Sequence, residues 1–208
     1  MQTIISRKDD NMYSASDFRA RARQTLGGNV FSHEWIYAML VSLISGALLG
    51  ISGPIGLVLS GVVYFGVQKY YLERVRGNAR HDALGICLEG LTGDVAGNIV
   101  LGLLTMLYTF LWTLLFVIPG IVKSYAYSMA YYIKADNPTY TATQAIEESQ
   151  KIMRGHKFEL FILDLSFIGW YIVGILCFGI GTLWVSAYHE AARAEFYQTL
   201  AYETPVIM

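Results

Sequence analysis

Four ionisable residues stand inside otherwise apolar sequence. Asp164 lies in the run from Phe161 to Ser166, and His189, Glu190 and Arg193 lie in the stretch Gly181–Tyr197. A carboxylate, an imidazole and a guanidinium at one depth could relay protons or escort an ion. The same groups could equally form an ion pair that fixes the register of two helices, which is the reading taken here, because a partner is what makes a charge tolerable in a low-dielectric setting. Counting 1.5 Å per helical residue, Asp164 falls about 9 Å inside one end of its helix, and Arg193 about 18 Å from the turn joining it to the next. In an apolar layer about 30 Å thick the two depths nearly coincide, so Asp164 and Arg193 are predicted to meet as a buried pair.

A second group is Lys123 with Tyr125 and Tyr127. Lys123 is placed about 5 Å below a predicted outer turn, where its ammonium can snorkel outward, anchor the interface or attract an anionic head group. Tyr131 and Tyr132 are assigned to an aromatic belt.

Catalytic signatures are missing. The sequence has no H-E-x-x-H, phosphate-binding loop or G-x-S-x-G, and no grouped cysteines and histidines to hold a metal. Its four histidines, His33, His81, His156 and His189, are scattered. No catalytic residue, metal site, cofactor or enzymatic activity is assigned. The two cysteines, Cys87 and Cys177, fall on opposite sides of the topology below and are not expected to pair.

The elements that must position these residues are apolar helices. Of 208 residues 54% are hydrophobic and only 15% charged, against about 25% charged in soluble domains. Mean hydropathy is +0.42. Net charge is −1, and no basic tract suggests nucleic acid. The polar first thirty residues do not form a cleavable signal peptide.

Apolar stretches run over Trp35–Leu49, Pro54–Val67, Ile99–Ile118, Ile121–Ile133, Phe158–Phe178 and Gly181–Tyr197. Lys and Arg concentrate in the N-terminal segment, around 69–80 and around 134–157. The turns predicted near Ser52–Pro54, Pro119–Gly120 and Gly179–Gly181 contain none, so the positive-inside rule puts both termini in the cytoplasm.

A weak threefold repeat, 14–71, 80–134 and 139–200, joins an amphipathic cytoplasmic segment to a hairpin that begins at Gly28, Gly97 or Gly155. The apolar faces are Ala15, Phe18, Ala22 and Leu26; then Leu84, Cys87, Leu88 and Leu91; then Ala142, Ala145, Ile146, Ser149, Ile152 and Met153. The third face carries a capping box at Thr141–Gln144 and an i,i+4 pair of Glu147 with Lys151. Gly46, Gly50, Gly53, Gly56, Gly61, Gly66 and Gly174 are read as small-residue packing positions.

Several longer runs carry a family resemblance. They are Leu111–Leu115 leading into Ile118–Tyr125, Tyr127–Met129, Asp136–Pro138, Ala145, Ile146 and Ser149, Met153–Lys157, Leu165–Trp170 and Ala194–Tyr197. Over roughly residues 105–198, with Ala20–Asn29, the chain resembles a bacterial family of integral membrane proteins catalogued as domain of unknown function nine-seventy-five. That family is similar to the membrane portion of some glycerophosphodiester phosphodiesterases, whose catalytic domain has no counterpart here. The resemblance implies a membrane architecture and no activity.

The expectation is therefore an all-α integral membrane protein of a bacterial plasma membrane. Six transmembrane helices form three hairpins with cytoplasmic amphipathic helices, both termini inside. Its expected partners are the lipid bilayer and a membrane protein or second copy. A non-enzymatic, membrane-organising or partner- and lipid-binding role is expected. The alternative is a transporter or channel for a small or lipid-like solute, lined by Asp164, His189, Glu190 and Arg193. A cavity reaching that cluster would favour the alternative.

Overall fold

Short-range signals set most helix ends. In the computed structural model, which describes residues 14–29, 32–51, 53–78, 83–176, 179 and 181–203, Ser14 opens the first helix through a capping box with Asp17. Thr141 does the same with Gln144, its hydroxyl accepting from the Gln144 amide while Gln144 accepts from the Thr141 amide. Asp94 caps a third helix by accepting from Gly97 N at 2.9 Å. Each cap satisfies amides that a helix start otherwise leaves unpaired.

The resulting order is α1 (Ala15–Thr25), α2 (His33–Ile51), α3 (Gly53–Val75), α4 (Ala83–Thr92), α5 (Val95–Leu115), α6 (Val117–Tyr127), α7 (Ala130–Asp136), α8 (Ala142–Ile152), α9 (Lys157–Leu176) and α10 (Gly181–Glu203). Among the described residues there is no strand, and the fold is all-α. Helices α2 and α3, α5 and α6, and α9 and α10 pack as sequential pairs. Helix α10 also lies against α1, α2 and α3, while α7 joins α3 to α8.

The centre of this arrangement is aromatic. Tyr70, Tyr71, Tyr132, Tyr197, Phe167 and Phe196 are buried, and Tyr132 stacks on Tyr197 with centroids 5.1 Å apart. The outside is apolar instead. Leu103, Leu107, Phe110 and Leu114 of α5, and Ile162, Leu165, Ile172 and Leu176 of α9, are exposed. By length and composition α5 and α9 are apolar enough to cross a membrane.

Several local expectations are corrected. The reversal expected at Pro119–Gly120 occurs at Phe116, whose extended backbone (φ −158, ψ 139) separates α5 from α6. Pro119 sits in the first turn of α6, where its missing N–H costs nothing. The apolar stretch Ile121–Ile133 is broken at Ser128–Met129 into α6 and α7. Ser149 of α8 fills that break, donating to Ala126 O at 2.8 Å and accepting from Met129 N at 3.2 Å.

Gly28 and Gly155 do occupy left-handed turns, at φ 73 and φ 90, but Gly97 is inside α5. Lys151 pairs with Glu148 at 2.6 Å rather than with Glu147. On α4, Leu88 and Leu91 face outward, and Ile86 and Gly90 form the packed side. Gly46 has open space beside it and is no packing position. Gly61 is one: a Cβ there would lie 2.2 Å from Asn98 O and 3.0 Å from Gly102 Cα, so α3 and α5 touch backbone to backbone. Ser52, His81, Cys177 and Ile180, and the side chains of Leu84 and Cys87, lie outside the described residues.

Candidate functional site

Helices α9 and α10 run antiparallel from the turn at Gly179, which brings Asp164 level with His189 and Arg193. Arg193 donates from Nε to Asp164 Oδ1 at 3.2 Å and from Nη2 to Oδ2 at 3.0 Å. This is a two-point contact that fixes both side chains. His189 Nε2 lies 2.7 Å from Asp164 Oδ1, and its Nδ1 lies 3.3 Å from the Tyr171 hydroxyl. The imidazole is held flat by Phe167, centroids 4.6 Å apart. Glu190, one residue on, accepts from Gln68 Nε2 of α3 at 3.2 Å and faces Arg193 electrostatically. The four residues singled out by type are thus brought together.

The pair is not sealed. Arg193 keeps 25% of its side chain exposed, and it lines a cavity of about 800 Å³ between α3, α5 and α6. Hydroxyls dominate the polar wall: Ser60 and Tyr64 on α3, Thr105 and Thr109 on α5, Ser124 and Tyr125 on α6. Tyr127, Ser128 and Tyr131 add to it, and Gln68 and Arg193 stand at one end. Behind this wall, Gln68 Oε1 and Thr105 Oγ1 are buried without a hydrogen-bond partner. Exposed Tyr64, Met106 and Ile121 mark its mouth.

The second predicted group is rearranged. Lys123 is not beside the turn between α5 and α6. With the reversal at Phe116 it lies seven residues into the descending segment, its Nζ 4.9 Å from the Trp112 ring centroid and 3.2 Å from Gln150 Oε1 of α8. Tyr125 hydrogen-bonds Asp164 and packs edge-on against Phe161, while Tyr127 is buried against Tyr108. Both line the cavity. Tyr131 lines it too, and Tyr132 is in the core, so neither belongs to an aromatic belt. Burial by helices distant in sequence overrides the period on which a belt assignment depends.

Three residues of consequence carry no sequence signal. Gln68 and Tyr171 become partners of the cluster only through tertiary packing. Lys134 is 2% exposed, and its ammonium donates to Asp94 Oδ2 at 2.8 Å, Pro138 O at 3.0 Å and Tyr140 O at 2.5 Å. It ties the end of α7 and the following loop to the cap of α5. The Lys134 contact, followed by the Gly97 amide, holds the Asp94 carboxyl below its ordinary range. Arg76 forms a similar bridge, with both nitrogens on Asp136 at 2.5 and 2.7 Å, while Tyr197 donates to the same carboxylate at 2.7 Å.

A family model described as a protein of unknown function (DUF975) matches residues 29–203. The match runs through the second short helix as well as the stretch 105–198. No curated protein and no solved structure matches the chain. With more than half its length matched, the chain belongs to the DUF975 family.

Proposed function

We propose that this member of the family is a multi-pass protein of a bacterial plasma membrane that carries a small or amphipathic solute through the cavity between α3, α5 and α6. The observation that carries this reading is the hydroxyl-lined cavity ending on Arg193 and Gln68. A purely structural ion pair needs no 800 Å³ space beside it.

The membrane setting follows from where apolar surface lies. Helices α5 and α9 are apolar along their length yet mostly exposed, the reverse of a core helix in a soluble protein. The six-span topology makes spans of α2, α3, α5, the α6–α7 segment, α9 and α10, as three hairpins with both termini inside. It is favoured by the sequential pairing of these helices and by the Lys and Arg distribution. Helices α1, α4 and α8 then repeat as the short element before each hairpin. A membrane-organising role remains the second reading, favoured by the outward apolar face of α4 at Leu88 and Leu91.

Cysteine labelling tests the reading. In a variant with Cys87 and Cys177 replaced by Ser, Thr105→Cys should react with a water-soluble thiol reagent, and Leu107→Cys, exposed on the outer side of α5, should not. An unreactive Thr105→Cys would leave a dry bundle and favour the organising role. A reactive Leu107→Cys would place α5 in water.

A further inference from the structure

The cavity opens sideways. Helices α3 and α6 both pack on α5 but not closely on each other, and the cavity occupies the space between them. Its mouth carries exposed Tyr64, Met106 and Ile121. On α5 this mouth is continuous with an apolar outer face, where Leu103, Leu107 and Phe110 are exposed. In the six-span topology that face meets lipid, so the opening leads into the bilayer.

Inside, the wall runs lengthwise. Gly56, Ser60, Tyr64 and Gln68 recur every four residues on α3 and share one face. At 1.5 Å per residue they extend over about 18 Å, more than half of an apolar layer about 30 Å thick.

The wall both donates and accepts hydrogen bonds. Ser124 and Ser128 give their hydrogens to Ile121 O and Tyr125 O, each at 2.8 Å, which leaves their oxygens free to accept. The hydroxyls of Tyr64, Thr109 and Tyr131 carry no hydrogen bond among the described residues. Each has a hydrogen to give.

Charge narrows the choice of ligand. Among the described residues Arg193 is the one charged side chain on the wall, and Asp164 holds it at two points, through Nε and Nη2. Its charge is thereby offset, while no hydrogen bond among the described residues takes Nη1. An anionic head would have to compete with Asp164 for the guanidinium, and it would bring no hydrogens for the serine oxygens. A quaternary ammonium would meet Arg193 as a like charge and leave the wall unpaired. An uncharged polyol suits every group, because each of its hydroxyls donates and accepts. A volume of about 800 Å³ is ample for a sugar-sized head.

Building on the solute-carrier reading, we propose that the solute is a lipid with an uncharged, hydroxyl-bearing head, which enters sideways between α3 and α6 while its chains stay in the bilayer.

The test uses the full chain in phosphatidylcholine nanodiscs. The probe is hexadecyl glucoside with a photoreactive diazirine on its chain near the head, and the cross-links are mapped by mass spectrometry. They should concentrate on Met106 and Ile121 at the mouth, with few on Leu165 and Ile172, which are exposed on α9. Unlabelled hexadecyl glucoside should displace the probe at about one-tenth the mole fraction needed of hexadecyl phosphate or hexadecyltrimethylammonium, the difference that one or two hydrogen bonds make. Tyr131→Phe should lower the cross-linking yield at the mouth about fivefold, and Met106→Trp, which fills the mouth, should abolish it. Cross-links spread evenly over the outer faces of α5 and α9 overturn the lateral site. Displacement by either charged amphiphile as strong as by the glucoside overturns the uncharged head and leaves the solute-carrier reading standing. The labelling of Thr105→Cys needs no ligand, so it decides the carrier reading separately. If either variant does not fold, the wild-type competition still decides.

Discussion

Removing Asp164 should reveal how much of the third hairpin depends on its contact with Arg193. Asp164→Asn keeps the shape of the side chain but leaves the guanidinium without its two-point acceptor. Breaking a buried ion pair by deleting one partner costs about 3–5 kcal/mol. Here Arg193 retains 25% side-chain exposure and still faces Glu190, so the loss should fall at or below the bottom of that range, about 2–3 kcal/mol. For a chain of this length that corresponds to a fall in Tm of about 4–12 °C. Arg193→Gln should cost about as much, because it strands the Asp164 carboxylate beside His189. The double variant Asp164→Asn/Arg193→Gln restores a neutral pair of amides and should recover at least about 1.5 kcal/mol of the summed losses. Thermal unfolding of the four proteins in one detergent measures this coupling. Losses that add to within about 0.5 kcal/mol would refute the reasoning, since groups in direct contact cannot act independently.

Four further outcomes are expected. Lys134→Met removes an ammonium with three acceptors and should cost about 3 kcal/mol, with faster amide exchange at the start of α5 and in the loop at 137–141; unchanged exchange there would argue against the staple. The Asp94 carboxyl titrates below its ordinary value, so its contribution is complete above about pH 3.9 and is lost as pH falls through the lower folded value. A Tm profile at acid pH should show this loss in the wild type and not in Asp94→Asn. Gly61→Val places side-chain atoms against Asn98 O and Gly102; it should force α3 from α5 and cost at least about 2–3 kcal/mol, read as loss of a monodisperse peak on gel filtration. Ser149→Ala leaves Ala126 O and Met129 N unpaired at the break between α6 and α7 and should lower stability by about 1–3 kcal/mol in the same thermal assay.

The parts of this molecule visible in sequence are those governed by short-range rules. The Thr141–Gln144 capping box depends on residues three apart, and the packed face of α8 follows helical spacing; both stand where the sequence places them. The meeting of Asp164 with Arg193 was also legible, because two helices joined by a tight turn must align residues equally far from it. Prediction failed where contact comes from distant segments. Nothing near Gln68 indicates Glu190, 122 positions away. Tyr131 and Tyr132 look like interfacial aromatics until tertiary packing sets Tyr131 on the cavity wall and Tyr132 against Tyr197 of α10. Lys134, counted in sequence among the charges of a cytoplasmic segment, is buried by a loop whose carbonyls converge on it. The Phe116 reversal was missed because Pro119 and Gly120 are strong turn formers, yet Pro is equally at home in the first turn of a helix.

The central claim is that the cavity ending on Arg193 is a path for solute, and sidedness tests it most directly. Thr105→Cys, in the background without Cys87 and Cys177, should be labelled by an impermeant thiol reagent applied from either face of sealed membrane vesicles, because a path must open to both sides in turn. Labelling from one face alone would make the cavity a binding site and no path, and labelling from neither would contradict the account altogether.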